Sequence, residues 1–264
     1  MLSVSSIFGT ASQVRRFTVA CICALPAITL AATTQAAPTH PAASKTYKVK
    51  LPPPADLHYQ ITARQSGLSI KGTGLVRWSW AGNRFSVTSQ SRADLLGKVL
   101  EAKSEGEIDA FGLAPTSFID KRLGKNATTT TFDRASKTIQ FSASSATYPM
   151  TGGEQDRNSI IWQLISVARG AGKAFKQGSK WQFFVAGQRD GELWTFEVGK
   201  TEKVRTAMGT LDAVYVVRVP AANSKGQKLD IWLAPAMQWY PAKLRFTETD
   251  GDFIEQTLES ISKS

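Results

Sequence analysis

Cysteine is confined to two residues, Cys21 and Cys23, and both sit inside an apolar run near the N-terminus. No disulfide therefore staples the remainder, and thiol chemistry is excluded there. Histidine is as scarce, with only His40 and His58. A Ser-His-acid constellation would have to be built on His58, and no Gly-x-Ser-x-Gly elbow is present. Without thiolates, with one domain imidazole and no acidic repeat of calcium-loop form, neither a metal nor another cofactor is expected. Gly72-Thr73-Gly74 and Gly170-Ala171-Gly172 lack the further positions of nucleotide-binding fingerprints and are expected as turn and cap glycines.

Acidic residues are also in deficit: 32 Lys and Arg stand against 21 Asp and Glu. Such a balance favours anionic partners. No basic run with interleaved aromatics occurs, so nucleic acid is not the expected partner. The N-terminus redirects the expectation. Arg15 and Arg16 precede an apolar run from Phe17 to Ala32, and small residues follow as far as Ala37. This is the layout of a secretory signal peptide, expected to span residues 1–36 and to send the protein to the periplasm. The run is short and broken by Pro26, which disfavours a retained anchor or any integral membrane domain in the mature form. Loss of Arg15 and Arg16 leaves 30 basic against 21 acidic residues, a net +9. The expected partners are a lipid, a lipoprotein or another anionic envelope component.

Residues 37–55 are rich in Pro and Ala and end in Leu51-Pro52-Pro53-Pro54, which predicts an extended, exposed linker. From residue 56 to 264 a single β-rich domain is expected. Short runs alternate with period two and are separated by turn signals such as Ala81-Gly82-Asn83, Asp190-Gly191 and Asp250-Gly251. One segment departs from that pattern. Between Thr151 and Gly172, Ile160, Leu164, Val167 and Ala168 share a helical face widened by Ile161 and Ile165, with Ser159, Gln163 and Ser166 opposite. Thr151 with Glu154 has capping-box spacing, and Asp156 offers a second N-cap. A dozen or so antiparallel strands with one amphipathic helix predict a mainly β fold: a large curled sheet or unclosed barrel, with the helix packed against it. Trp181, Phe183, Leu244, Phe246, Ile254 and Leu258 are expected to face inward.

Candidate binding residues follow from what this scheme leaves over. Arg157 is a cation near a helix N-terminus, so it needs either a carboxylate partner or an anion. Trp162 sits at the edge of the apolar arc and Leu164 at its centre. Trp232 alternates onto the face opposite Ile231 and Leu233, and Trp239-Tyr240-Pro241 falls in a turn. Arg157, Trp162, Leu164, Trp232, Trp239 and Tyr240 are thus the expected ligand contacts. No catalytic residue is expected. Glu154, Asp156, Asp190 and Asp230 are expected as caps, turn residues or edge charges, and Ser260 with Lys263 lacks the helix that a Ser-x-x-Lys pair requires.

Gln155-Asp156-Arg157 with Ser159 and Gln163-Leu164, then Gly178, Trp181, Phe183 and Trp194, form an ordered series. It continues through Ile231-Trp232-Leu233-Ala234-Pro235, Tyr240-Pro241, Arg245, Asp250-Gly251 and Glu255-Gln256-Thr257-Leu258. In this order and spacing the chain resembles the family of domain of unknown function 3108, exported proteins of proteobacteria and their relatives. The resemblance implies location and architecture and carries no catalytic residue with it. At fold level it extends to the unclosed barrels of periplasmic lipoprotein carriers, which hold acyl chains between sheet and helix. The expectation is a non-enzymatic envelope protein binding an amphipathic or acyl-bearing ligand between sheet and helix. The alternatives are a solid-cored module for envelope polysaccharide or a partner protein, and last a hydrolase using paired carboxylates.

Overall fold

The period-two runs become fifteen strands of one sheet in the computed structural model, which describes residues 45–220 and 227–263. The expected signal segment, and residues 37–44 of the expected linker, lie outside the described residues. In chain order the elements are β1 (Ala55–Gln65), β2 (Leu68–Ala81), β3 (Arg84–Ala93), β4 (Gly97–Asp109), β5 (Gly112–Arg122), β6 (Thr128–Asp133), β7 (Thr138–Phe141) and β8 (Ser144–Pro149). A two-residue β9 (Gln155–Asp156) leads into helix α1 (Ser159–Ala171). Then follow β10 (Lys180–Ala186), β11 (Gly191–Thr206), β12 (Gly209–Val219), β13 (Lys228–Leu233), β14 (Pro241–Thr247) and β15 (Phe253–Ser262). The spatial order runs from β8 down to β1, crosses to β15, and runs down to β9. Every ladder is antiparallel except β9 against β10.

The sheet curls round the helix and then overlaps itself. Strand β10 is buried on both faces: Trp181, Phe183 and Val185 join the core around α1, while Phe184 and Ala186 join a second core with Phe118, Phe132, Ile139 and Phe141. Tyr148 of β8 stacks at a tilt on Phe184, ring centres 5.3 Å apart. The free edges therefore meet through side chains, with no ladder between β8 and β9. Of the six residues expected inward, Trp181, Phe183, Leu244 and Leu258 are core and Phe246 packs on its edge. Ile254 stands half-buried outside it.

Helix α1 begins at Ser159, eight residues after Thr151, the first of the two starts the sequence offers. Gly152 and Gly153 take positive φ values of 107° and 79°, which no helix accommodates, and Gln155-Asp156 pair with Val185 and Ala186 instead. The Thr151–Glu154 pair closes this turn, the Glu154 carboxylate accepting the N–H groups of Thr151 at 2.5 Å and Gly152 at 3.0 Å. The N-cap is Asn158, without a side-chain cap bond, and not Asp156, which stands two residues earlier and whose Oδ1 accepts the N–H groups of Asn158 and Ser159, each at 2.8 Å.

Amphipathic patterning predicts one buried side, yet α1 is buried on both. Ile160, Leu164, Ile165 and Val167 are fully enclosed, and so are Ser159, Gln163 and Ser166 on the polar arc. The polar arc is covered because its partners are polar. Gln163 accepts the N–H of Leu113 at 2.9 Å and donates to the carbonyl of Phe111 at 2.7 Å. Ser166 returns its hydroxyl to the carbonyl of Trp162, and its own carbonyl accepts the N–H of Lys50.

That last bond corrects the exposed linker. Residues 45–54 are extended, but they lie as a strap along the helix. Tyr47, Val49 and Leu51 pack on the main core, and Pro52 is buried with its carbonyl accepting the indole N–H groups of Trp78 and Trp80. The Pro53 carbonyl accepts the Tyr240 hydroxyl at 2.6 Å. Prolines lack the N–H that an exposed edge would leave unpaired, and their free carbonyls suit them to receive such donors.

Candidate functional site

Strand alternation puts Val214, Val216 and Arg218 of β12 on the face that looks at the helix, so a cation occupies an inward slot. Arg218 is 5% exposed. A charge so placed needs compensation, and it receives three kinds. Glu192 accepts its Nη2 at 2.6 Å, the Gln227 carbonyl accepts its Nη1 at 3.1 Å, and its guanidinium lies 4.1 Å over the Trp194 ring. The same Glu192 oxygen accepts the Trp194 indole N–H at 2.9 Å.

Arg157 leaves the chain just before α1 and extends across the backbone of Gly187, where a β-carbon would lie 2.9 Å from its Nε. It is exposed, and among the described residues it forms no ion pair. Burial pushes the Arg218 guanidinium below its ordinary range; Glu192 opposes that shift and the like charge of Arg157 adds to it. Two guanidiniums thus lie near one another at the end of the curled sheet where α1 begins, and the one carboxylate beside them pairs with Arg218. Gly187 is held there by its N–H donating to the Asp190 carbonyl at 2.7 Å, and by the Thr130 hydroxyl donating to its carbonyl at 2.7 Å.

Beneath Arg157 lies a polar seam that fastens β9 and the helix start to β3, β4 and β5. Asp156, fully enclosed, accepts the Ser104 hydroxyl at 2.5 Å. Asn158 donates to the Val87 carbonyl at 3.0 Å and meets Ser89 at 2.6 Å, while Gln155 donates to the Leu113 carbonyl at 2.6 Å. Burial raises the Asp156 carboxyl to about 6, against the pull of its hydrogen bonds from Ser104, Ser159 and Asn158.

The six expected contact residues are dispersed. Arg157 stands at the mouth just described. Trp162 is 3% exposed, stacked on Trp78 at 4.7 Å with Tyr240 edge-on at 6.0 Å, and Leu164 has no exposed surface. A side chain wholly covered in this way lines no interior space large enough for water. Tyr240 is buried on the strap, and Trp239, half-buried beside Phe175, sits near the other end of α1 with Gln238 and Trp239 both at positive φ. Trp232 lies on the outer face, its indole N–H on Glu202 and the Lys243 ammonium 4.4 Å over its ring. The four carboxylates have separate roles: Glu154 and Asp156 bind backbone, Asp190 occupies the β10–β11 turn, and Asp230 binds Tyr215 and Lys228 on the outer face. Among the described residues no group of His, Cys, Asp and Glu is placed to hold a metal ion, and no helix is long and apolar enough to cross a membrane.

Sequence reasoning missed Arg218 and Glu192. The signal was available, because an Arg in the alternating Val214-x-Val216-x-Arg218 run must share the valines' face.

The model of a family described as Protein of unknown function (DUF3108) matches residues 57–259. A comparison with curated proteins found no match. Among solved structures the chain is similar to a β-barrel-like protein of domain of unknown function DUF1849 from Brucella abortus. The identity is 15%, the TM-score 0.55, and the likeness covers 81% of this chain and 98% of that one. A candidate outer membrane lipoprotein-sorting protein domain from Vibrio parahaemolyticus shares 9% identity at a TM-score of 0.32, over 80% of this chain and 85% of that one. A candidate lipoprotein from Parabacteroides distasonis shares 9% at 0.37, over 83% and 100%. The first is a likeness of fold; the other two are too distant to bear on mechanism.

Proposed function

The chain belongs to the DUF3108 family of proteins of unknown function, and from that premise we propose that it is a non-enzymatic binding module of the cell envelope. It takes the anionic head of an envelope component at the mouth formed by Arg157 and Arg218. One observation carries this reading: Arg157 is an exposed guanidinium with no ion pair among the described residues, set beside a buried Arg218 whose single carboxylate is already shared with Trp194. Bidentate recognition of a phosphate or carboxylate suits a guanidinium held flat over a glycine. Export to the periplasm by cleavage of residues 1–36 is part of the proposal, and a mature charge of +9 supports an anionic partner.

Calorimetric titration with dihexanoyl phosphatidylglycerol, kept below its micellar concentration, tests the site. Wild type is expected to bind, and Arg157→Gln to weaken binding about ten-fold or more, the scale of a charge-assisted bidentate contact. Equal binding by both proteins would reject the mouth as the site.

A second reading places an acyl chain between sheet and helix. In its favour, the sheet edges meet without a backbone ladder, so the seam could part. Against it, Trp162, Leu164 and Ile165 already fill that space. Organic extraction of protein purified gently from the periplasm, followed by mass spectrometry, separates the two readings. Stoichiometric lipid supports the acyl-chain reading, and a clean protein supports binding at the mouth.

A further inference from the structure

Four leucines stand exposed on three consecutive turns along one rim of the sheet. Leu95, at 98% exposure, and Leu96 form the β3–β4 tip; Leu68 opens β2, and Leu123 opens the β5–β6 turn. Backbone hydrogen bonds tie the three turns side by side. The Asp94 N–H donates to the Lys71 carbonyl at 3.1 Å, and the Leu123 N–H donates to the Val99 carbonyl at 2.9 Å. Large apolar side chains in such a row, with no packing partner, mark a contact surface.

The charges around them identify what the surface meets. Segments 64–71, 92–98 and 121–125 contain seven Lys or Arg (Arg64, Lys71, Arg92, Lys98, Lys121, Arg122, Lys125) and one acid, Asp94. Flanking acids neutralise part of this: Glu101 pairs with Lys98 at 3.0 Å, Asp120 with Arg122 at 3.1 Å, and Asp252 accepts the Ser66 N–H. Lys121 stands opposite Glu101 across the β4–β5 ladder and adds to the pull of Lys98 on that carboxylate, whereas Arg64, Lys71, Arg92 and Lys125 remain exposed and form no ion pair among the described residues. Leucines projecting from short turns, ringed by cations, fit the interface of an anionic phospholipid bilayer. Such tips reach only the headgroup and upper acyl region, where turn backbone can still be hydrated, and the cations lie at phosphate depth.

We propose that this rim docks the domain on an anionic bilayer, with Leu95 and Leu96 inserted and Lys71, Arg92 and Lys125 on the phosphates. The surface shares no residue with the Arg157 mouth and stands or falls without it.

Co-flotation with vesicles of about one part phosphatidylglycerol to two of phosphatidylcholine, compared with phosphatidylcholine alone, tests it at low salt. Wild type is expected to float with the anionic vesicles only. Leu95→Ser with Leu96→Ser should weaken flotation about ten-fold with unchanged thermal stability, since both side chains already face water. Lys71→Gln with Lys125→Gln should weaken it roughly five-fold per charge. Arg157→Gln should float as wild type while losing the soluble headgroup. Absence of flotation by wild type, or flotation by the leucine double variant equal to wild type, would overturn the proposal. Loss of flotation in Arg157→Gln alone would also overturn it, by returning membrane contact to the mouth.

Discussion

Asp156 should be a residue that the protein holds at some cost at neutral pH, and replacing it with Asn tests this directly. Its carboxyl is raised from 3.8 to about 6 by burial. A carboxyl that binds its proton more tightly in the folded than in the unfolded state favours folding most below its unfolded value. That advantage shrinks as pH rises towards about 6 and is constant beyond. A rise of about two pH units corresponds to roughly 3 kcal/mol between the two limits. Asn keeps the Oδ1 that accepts from Asn158 and Ser159, and its amide can donate to the Ser104 hydroxyl. It gives up the attraction of a full negative charge for a helix N-terminus, about 0.3–1 kcal/mol. The expected result is that Asp156→Asn is more stable than wild type by about 1–2 kcal/mol at pH 7.5, the gap closing towards zero by about pH 4.5. Asp156→Ala leaves two N–H groups and a hydroxyl unpaired and should be about 2–4 kcal/mol less stable than Asp156→Asn at every pH. Urea unfolding followed by tryptophan fluorescence at pH 4.5, 6 and 7.5 measures all three proteins, and titrations common to them cancel in the differences. A wild-type minus Asn difference that does not change with pH would refute the linkage, and an Asn variant as unstable as Ala would refute the hydrogen-bond account.

Gly187→Ala should shift thermal stability little, because the added carbon meets only the movable end of Arg157; it should weaken headgroup binding in the same titration. Gly170→Ala is expected to lose about 1–3 kcal/mol in urea unfolding despite the better helix propensity of Ala, because its carbon would lie 2.4 Å from the Lys48 carbonyl and lift the strap. Gln163→Leu should cost about 2–4 kcal/mol by orphaning the Leu113 N–H and Phe111 carbonyl, and hydrogen exchange should quicken at Leu113. Trp162→Ala should lose about 3–5 kcal/mol, since it vacates the stack on Trp78.

The β class, the turn positions and the single helix were legible because period two and period 3.6 leave different marks on a sequence. The helix start was not, since capping-box spacing at Thr151 and Glu154 describes any turn in which a carboxylate bends back on preceding amides. The strap was misplaced for a related reason. Composition marks Pro52 and Pro53 as extended, and extension says nothing of whether indole and phenol donors across the fold, such as Trp78 and Tyr240, will seek their carbonyls. Ser166 and Gln163 resemble a solvent face until β5 and the strap supply partners, and only tertiary structure does that. For the site, Arg157 was recognisable as a cation out of place, whereas Trp162, Leu164 and Tyr240 carry the same apolar signature whether they line a pocket or fill one. The motif around Gln155, Asp156, Ser159 and Gln163, which carries the family resemblance, turns out to build the seam beneath the site.

The overlap of the two sheet edges gives the chain a ring-like connectivity. β8 and β9, the outermost strands, are neighbours in sequence, while β1 and β15, the first and last, pair with each other in the middle of the sheet. Each strand therefore has its sequence neighbours beside it, and the one gap in the ladder is bridged by residues 150–154 of the backbone. A permuted chain, opened at Gly152-Gly153 and joined from Ser262 to Ala55 through the strap residues, would visit all fifteen strands in their spatial order. Strands β1 and β15 thus lock the centre of the sheet, and the covalent chain itself guards the place where it could come apart.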